Sequence, residues 1–130
     1  AQSAAQVIGF EADDAMVGRA NESGKANNLS NCEFKRMDLF EPIAAMNFQS
    51  LNKAVLDPPR AGARKLCESL LSSVVERIVY VSCNPETLLR DLDILSAQYD
   101  VQKLAMADMF PQTQHVEAMA LLQRKQATRK

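Results

Sequence analysis

Short, dense runs of apolar residues alternate along this chain with longer stretches in which apolar residues recur every three or four positions. The densest run is Ile78-Val79-Tyr80-Val81, whose β-branched and aromatic residues have the length and composition of a strand buried on both faces, as inside a parallel sheet. It stops at Ser82-Cys83. Asn84 is a good N-cap, Pro85 suits the first helical position, Glu86 falls in the first turn, and Leu88, Leu89, Leu92 and Leu95 follow at helical spacing, so a helix is predicted to run to about Ala97. Cys83 is therefore placed on the turn between a strand end and a helix start.

The same reading extends in both directions. Val7 to Phe10 forms a short apolar run ending on Glu11, and Ala12-Asp13-Asp14 opens a helix predicted to reach Asn28, weakened at Gly18 and Gly24. Cys32 to Met37 reads as a more amphipathic strand ending at Asp38, with a weak helical turn after Pro42, near Ile43 to Met46. Asn52 to Leu56 is a third strand, ending at Asp57, and Pro58-Pro59 forbid its continuation because neither can donate to a ladder. From Ala61 to Val75, Leu66, Leu70, Leu71 and Val74 make a helical stripe. After the helix that follows Cys83, Val101 to Met106 and Val116 to Leu122 read as strands flanking a loop, Asp108 to His115, too short to hold a crossover helix. These last two strands should be antiparallel to each other.

Alternation of this kind predicts an α/β fold: a mostly parallel sheet with an antiparallel C-terminal edge. Successive parallel strands end on Glu11, Asp38, Asp57 and Ser82-Cys83, and their polar ends should meet along the sheet edge where open α/β folds bind ligands. An antiparallel last strand would begin at that same edge, with Glu117 second in it. A thiol and four carboxylates are thus expected to converge on one crevice.

Each has a plainer alternative. Free cysteine is among the most buried residue types, so Cys83 is either a packing residue or a thiol whose thiolate is favoured by the positive end of the following helix. Glu11 and Asp38 could simply favour the helix starts that follow them, and Glu117 could be a solvated strand residue. Asp57, held before two prolines, has the more ligand-facing geometry. Arg60 reads as a surface charge, His115 as a satisfied loop residue, and Met106, Met109 and Met119 as packing.

Composition narrows the field. At 130 residues, 47% of them hydrophobic, the chain fits one globular domain, and a formal charge of −1 shows no global basic excess for nucleic acid. Cys32, Cys67 and Cys83 lack CxxC or Cys/His metal spacing, which points to reduced thiols and no metal. No apolar run approaches membrane-spanning length and the N-terminal residues lack a signal-peptide pattern, so a soluble, cytoplasmic protein with no membrane partner is expected. Residues 1–123 should form the folded body and 124–130, basic and without apolar pattern, should fray.

Three blocks, VLDPPRAGA (Val55 to Ala63), IVYVSCNPETLLRDL (Ile78 to Leu92) and LAMADMFPQTQHVEAMALL (Leu104 to Leu122), together resemble the RNA (uracil-5-)-methyltransferase family, most of all its bacterial branch acting on 23S ribosomal RNA. VIGFEADDAMV extends the likeness toward the first residues. The resemblance implies a Rossmann-like, S-adenosylmethionine-dependent methyltransferase fold and methylation of uridine carbon 5 in ribosomal RNA. Cys83 corresponds to the family's nucleophile and Glu117 to its general base. Glu11 matches the acid that holds the ribose of the methyl donor, Asp38 a polar position near the adenine, and Asp57 the acid lining the donor and target-base pocket. The transfer-RNA branch of the family and a noncatalytic RNA-binding or assembly module are the alternatives.

The departures from the family pattern carry expectations too. The first strand and its glycine-rich turn have no counterpart here, because Gly9, Gly18, Gly24 and Gly62 do not form one. Nor do the N-terminal RNA-binding module and the iron–sulfur segment of the most similar relatives. The chain is thus expected to be a partial catalytic domain, with the family's missing strand falling between those that end at Glu11 and Asp57. The gap could be closed by pairing those two strands directly or by borrowing a strand from a second copy, which would make a dimer; otherwise it would leave Val7 to Glu11 poorly placed. In isolation the chain is expected to be inert and to bind the donor weakly or not at all; saturable micromolar binding in calorimetry would contradict this.

Overall fold

In the computed structural model, residues 3–41, 43, 48–108, 112 and 116–126 are described. They belong to two compact units, Ala1–Leu39 and Phe40–Lys130. The described strands form two sheets, one two-stranded and one four-stranded.

In the first unit, β1 (Val7–Glu11) is followed by α1 (Asp14–Ala26) and β2 (Cys32–Arg36). The two strands are parallel, with Val7 opposite Cys32 and Glu11 opposite Arg36. Helix α1 starts where the sequence places it, because the Asp13 carboxylate accepts the Met16 N–H at 3.0 Å. It stops two positions before the expected Asn28. Asn28 is left-handed (φ 56°), its N–H donates to the Lys25 carbonyl, and Leu29 N–H donates to the Gly24 carbonyl, which is a Schellman ending with asparagine in the place usually taken by glycine. Asn21 ties the helix to β2: its side-chain amide donates to the Phe34 carbonyl at 2.9 Å and its oxygen accepts the Phe34 N–H at 3.0 Å. Gly9 admits the Phe34 ring, since a Cβ there would overlap the ring carbons.

The second unit contains β3 (Lys53–Leu56), α2 (Arg64–Leu71), β4 (Arg77–Ser82), α3 (Pro85–Leu95), β5 (Tyr99–Ala107) and β6 (Glu117–Arg124). The sheet order is β3-β4-β6-β5. β3 and β4 are parallel, while β6 runs antiparallel to both β4 and β5. Ile78 and Tyr80 of β4, Leu122 of β6, Leu70 of α2, Leu95 of α3 and Val75 form the fully buried centre.

Several boundaries differ from the sequence reading. The strands β1 and β2, expected in one sheet with β3 and β4, form a two-stranded sheet of their own. Helix α2 is shorter than the predicted Ala61 to Val75. Gly62 has φ +77°, which excludes it from a right-handed helix, and the Ser73 hydroxyl donates to the Leu70 carbonyl at 2.7 Å where the helix ends. Val74 therefore faces solvent and Val75 takes the buried place. On α3, Leu89 is 68% exposed, whereas Asp91 is completely buried on the face the leucine was expected to share. The fraying expected of 124–130 is not seen at Arg124, which finishes β6. The Arg124 guanidinium lies over the Tyr99 ring at 4.6 Å and donates to the carbonyls of Leu70 and Val75. The predicted turn at 43–46 lies outside the described residues apart from Ile43, as do His115, Met109 and residues 127–130.

Candidate active site

The chain passes from β4 into α3 through Ser82, Cys83 and Asn84, and hydrogen bonds fix this turn on both sides. The Ser82 hydroxyl accepts the Asn84 N–H at 3.1 Å and donates to the Asn84 carbonyl at 3.0 Å. The Asn84 side-chain oxygen caps α3 by accepting the Glu86 N–H at 3.1 Å. Cys83, partly exposed and not disulfide-bonded, sits between these two anchors. A thiol with little backbone freedom is thus presented at the sheet edge.

Glu117 begins β6, and the β4–β6 register places it. Val81 lies opposite Met119 and Ser82 opposite Ala118; the next two residues along that line are Cys83 and Glu117. Cys83 lies just beyond the end of β4, in the bend that leads to α3, so it and Glu117 flank the same end of the ladder. Asp57 leaves the end of β3, one residue beyond the Leu56–Tyr80 pair, at the same rim of the same sheet, and is exposed. Cys83, Glu117 and Asp57 therefore share one edge.

Glu11 and Asp38 belong to the other unit, at the corresponding edge of the β1–β2 pair. Glu11 closes β1 and its carbonyl accepts the Met37 N–H at 2.8 Å, next to Asp38. One Glu11 carboxylate oxygen accepts the N–H groups of Ala12 at 2.7 Å and Asp13 at 3.1 Å. Glu11 thus serves the following helix start, and because a carboxylate offers about four lone-pair sites, acceptor capacity remains beyond these two bonds. An exposed, oriented acid at a strand end fits a ribose-holding role; this is the feature by which the chain suits a nucleoside-type methyl donor.

The other thiols have different surroundings. Cys67 is fully buried, and burial followed by the nearby Asp91 charge pushes its thiol well up, which keeps it protonated and unreactive. Tyr80 is raised for the same first reason, burial, and next by donating its hydroxyl to Asp91 at 2.5 Å. Among the described residues no cluster of His, Cys, Asp and Glu could hold a metal ion. Likewise, no described helix is long and apolar enough to cross a membrane.

The sequence reading missed Asp91, Arg90, Thr87 and Asn84 as partners of the loop that follows Asp57. Thr87 and Asn84 side chains both donate to the Arg60 carbonyl at 3.1 Å, Arg90 donates to the Ala61 carbonyl at 2.9 Å, and Asp91 accepts the Ala63 N–H at 2.7 Å. A signal was present: Leu88, Asp91 and Leu95 share a helical face, and an acid on an otherwise apolar stripe beside an arginine is a candidate for a buried polar anchor.

The family model described as tRNA (Uracil-5-)-methyltransferase matches residues 1–125. A 23S rRNA (uracil(1939)-C(5))-methyltransferase of Hahella chejuensis is 44% identical over 131 residues, covering 95% of this chain and 29% of that protein. Its counterpart in a Marinomonas strain (MWYL1) is 45% identical over 121 residues, covering 92% of this chain and 28% of its own length. The chain thus spans under a third of the curated relatives it matches. Among solved structures, the Pyrococcus abyssi tRNA (uracil-54, C5)-methyltransferase, in complex with S-adenosyl-L-homocysteine, superposes with a TM-score of 0.77 at 35% identity, covering 90% of this chain and 28% of that one. TrmN from Thermus thermophilus shares the fold, with a TM-score of 0.66 at 19% identity. With a matching family model over nearly its full length, the chain belongs to the tRNA (uracil-5-)-methyltransferase family.

Proposed function

We propose that the chain is part of the catalytic domain of an enzyme that methylates carbon 5 of a uridine in 23S ribosomal RNA, with Cys83 as nucleophile and Glu117 as general base. What supports this reading is the β4–β6 ladder, which ends at Ser82–Ala118, so that Cys83 and Glu117 are the residues one step beyond that pair at the same end of the two chains. The two groups must address adjacent atoms of one pyrimidine ring, which side chains leaving the same end of neighbouring strands, roughly 5 Å apart, can reach.

Uracil carbon 5 is a poor nucleophile until electron density is pushed onto it. The Cys83 thiolate adds to carbon 6, forming an S–C6 bond while the C5–C6 π pair moves into the enolate of the C4 carbonyl. S-adenosylmethionine, when bound, would supply the methyl group that carbon 5 takes, its S–CH3 bond breaking to release S-adenosylhomocysteine. Glu117 then removes the remaining proton from carbon 5, and the C–H pair re-forms the double bond and expels the thiolate. Splitting the reaction in this way replaces one difficult displacement by two accessible steps. Glu11 and Asp38 hold the nucleoside part of the donor, and Asp57 lines the pocket between donor and base.

Ribosomal RNA is favoured over transfer RNA because the curated relatives at 44% and 45% identity are 23S enzymes, whereas the solved tRNA enzyme is 35% identical. The test is covalent trapping. Full-length enzyme incubated with 5-fluorouridine 23S RNA and S-adenosylmethionine should form a protein–RNA adduct that resists denaturation, Cys83→Ala should form none, and Glu117→Gln should hold the adduct even on ordinary uridine. An adduct that persists in Cys83→Ala excludes the assigned nucleophile.

A further inference from the structure

The segment Asp57-Pro58-Pro59-Arg60-Ala61-Gly62-Ala63 is held from outside, by α3. Its own bonding is one tight turn, Gly62 N–H to the Pro59 carbonyl at 2.8 Å. Otherwise its backbone is gripped at Arg60, Ala61 and Ala63 by Asn84, Thr87, Arg90 and Asp91. Asp91 is the deepest of these: its side chain is 0% exposed, one oxygen accepts from Ala63 N–H and from the Tyr80 hydroxyl, and the other accepts two bonds from Arg90 at 2.9 and 2.7 Å. The fit is close enough to dictate the residue at position 62. A Cβ on Gly62 would lie 2.5 Å from Arg90 Nη2 and 2.6 Å from Asp91 Oδ2.

The helix that grips this loop is the one that begins directly after Cys83. Tyr80, three residues before Cys83 on β4, supplies the hydroxyl that completes Asp91. Strand β4, the Cys83 turn, α3 and the loop after Asp57 are thus locked to one another through a single buried carboxylate. We propose that Asp91, with Arg90, is a positioning residue that fixes Asp57 in place relative to Cys83. This rests on the function proposed above, in which Asp57 and Cys83 act on one substrate. Burying a carboxylate is costly unless every oxygen is used, and here the partners that use it are those that define the loop.

A positioning role makes a prediction that a general stabilising role does not: loss of Asp91 should matter only while Asp57 is there to be positioned. Single-turnover methyl transfer by the full-length enzyme is measured well below the lowest unfolding midpoint of the variants. Asp91→Asn is expected to lower the rate 10- to 100-fold, the scale on which small misplacements act. In an Asp57→Asn background the same change should cost less than about threefold, because coupled residues are not additive. Tyr99→Phe is the control: it removes a buried hydroxyl bonded to the Val75 carbonyl, away from the loop, and should change the rate less than twofold in either background. If Asp91→Asn does not fold, Arg90→Lys, which loosens both Asp91 and the Ala61 carbonyl, should show the same dependence on Asp57 at about 3- to 10-fold. Losses that multiply independently of Asp57, or an Asp91 variant within twofold of the parent rate, would overturn the inference alone. A parent enzyme that transfers no methyl group to uridine RNA would overturn the functional reading and this inference with it.

Discussion

The two units reach order by different means. In Phe40–Lys130 the order comes from burial: Ile78, Val75, Leu95 and Leu122 are at 0% exposure, with Tyr80 and Tyr99 packed among them. In the described part of Ala1–Leu39 only Gly24 is buried; Ile8, Phe10 and Phe34 are half-buried, and local polar devices do much of the work: the Asp13 cap, the Schellman ending at Asn28 and the two-bond hook of Asn21 on Phe34. The proposed nucleophile and base thus stand on the well-packed unit, and two of the three acids assigned to the methyl donor on the lightly packed one. Ligand-binding segments are commonly drawn from the low-stability end of a structure, and bond-making groups gain from a rigid frame.

The contrast breaks most directly by deleting core volume on each side. Leu70→Ala, at 1% exposure, should cost about 2–5 kcal/mol, while Phe34→Ala, half-exposed, should cost well under the roughly 3–5 kcal/mol of a fully buried phenylalanine. Denaturant melts and region-resolved hydrogen exchange report both. An equal or larger loss from Phe34→Ala would mean that the first unit is as core-dependent as the second.

Alkaline pH sharpens the same contrast with a smaller effect. Cys67 and Tyr80, both in the second unit, are raised by burial from ordinary values of 9.0 and 10.0, so both remain protonated in the folded state at pH values where the unfolded chain has ionised. The unfolded state then binds fewer protons than the folded one, and stability falls as pH rises. Their contribution is fully present below pH 9 and is lost above it, at about 1.4 kcal/mol per pH unit for each group that has passed its unfolded value. Urea midpoints should be flat with respect to these groups up to pH 9 and then decline, and Cys67→Ala should delay the onset by about one unit, to the range where tyrosine begins to ionise. A decline of equal steepness in Cys67→Ala would exclude the thiol as its source.

What could be read from the chain, and what could not, follows the range of the interactions involved. The β4–turn–α3 passage was legible because strand run, N-cap and first-turn proline are neighbours in sequence, and Asn84 caps as expected. The length of α2 was not, because the Leu66–Leu70–Val74 period runs on past the point where Ser73 turns its hydroxyl back on Leu70. Asp91 was hidden because the apolar period accommodates Leu89 equally well; only Tyr80 and Ala63, distant in sequence, decide which face is buried. Arg124 looked like part of a basic tail until the hairpin set it over Tyr99 and the α2 carbonyls. The candidate site divides in the same way: strand ends gave Glu11, Asp57 and Cys83 as edge residues, but that Cys83 and Glu117 follow the last pair at the same end of the β4–β6 ladder is a property of its register, which no local pattern states.

The smallest expected effect tests whether local devices hold the first unit. Asn28 occupies the left-handed position of the α1 Schellman ending, with φ 56°, and this conformation costs an L-residue energy that glycine does not pay, although asparagine bears it better than most. Asn28→Gly keeps both capping bonds, Asn28 N–H to Lys25 and Leu29 N–H to Gly24, because they use only the backbone. Against the relief stands the larger entropy glycine loses on folding, so the net gain should be no more than a few tenths of a kcal/mol. Asn28→Ala should lose about 1 kcal/mol at the same site, since it meets the left-handed strain without the polar side chain that eases it. Hydrogen exchange at the Leu29 amide reads the cap itself: protection should hold in Asn28→Gly and fall in Asn28→Ala, whereas equal protection in all three chains would show that β1–β2 pairing, and not the helix ending, keeps α1 in place.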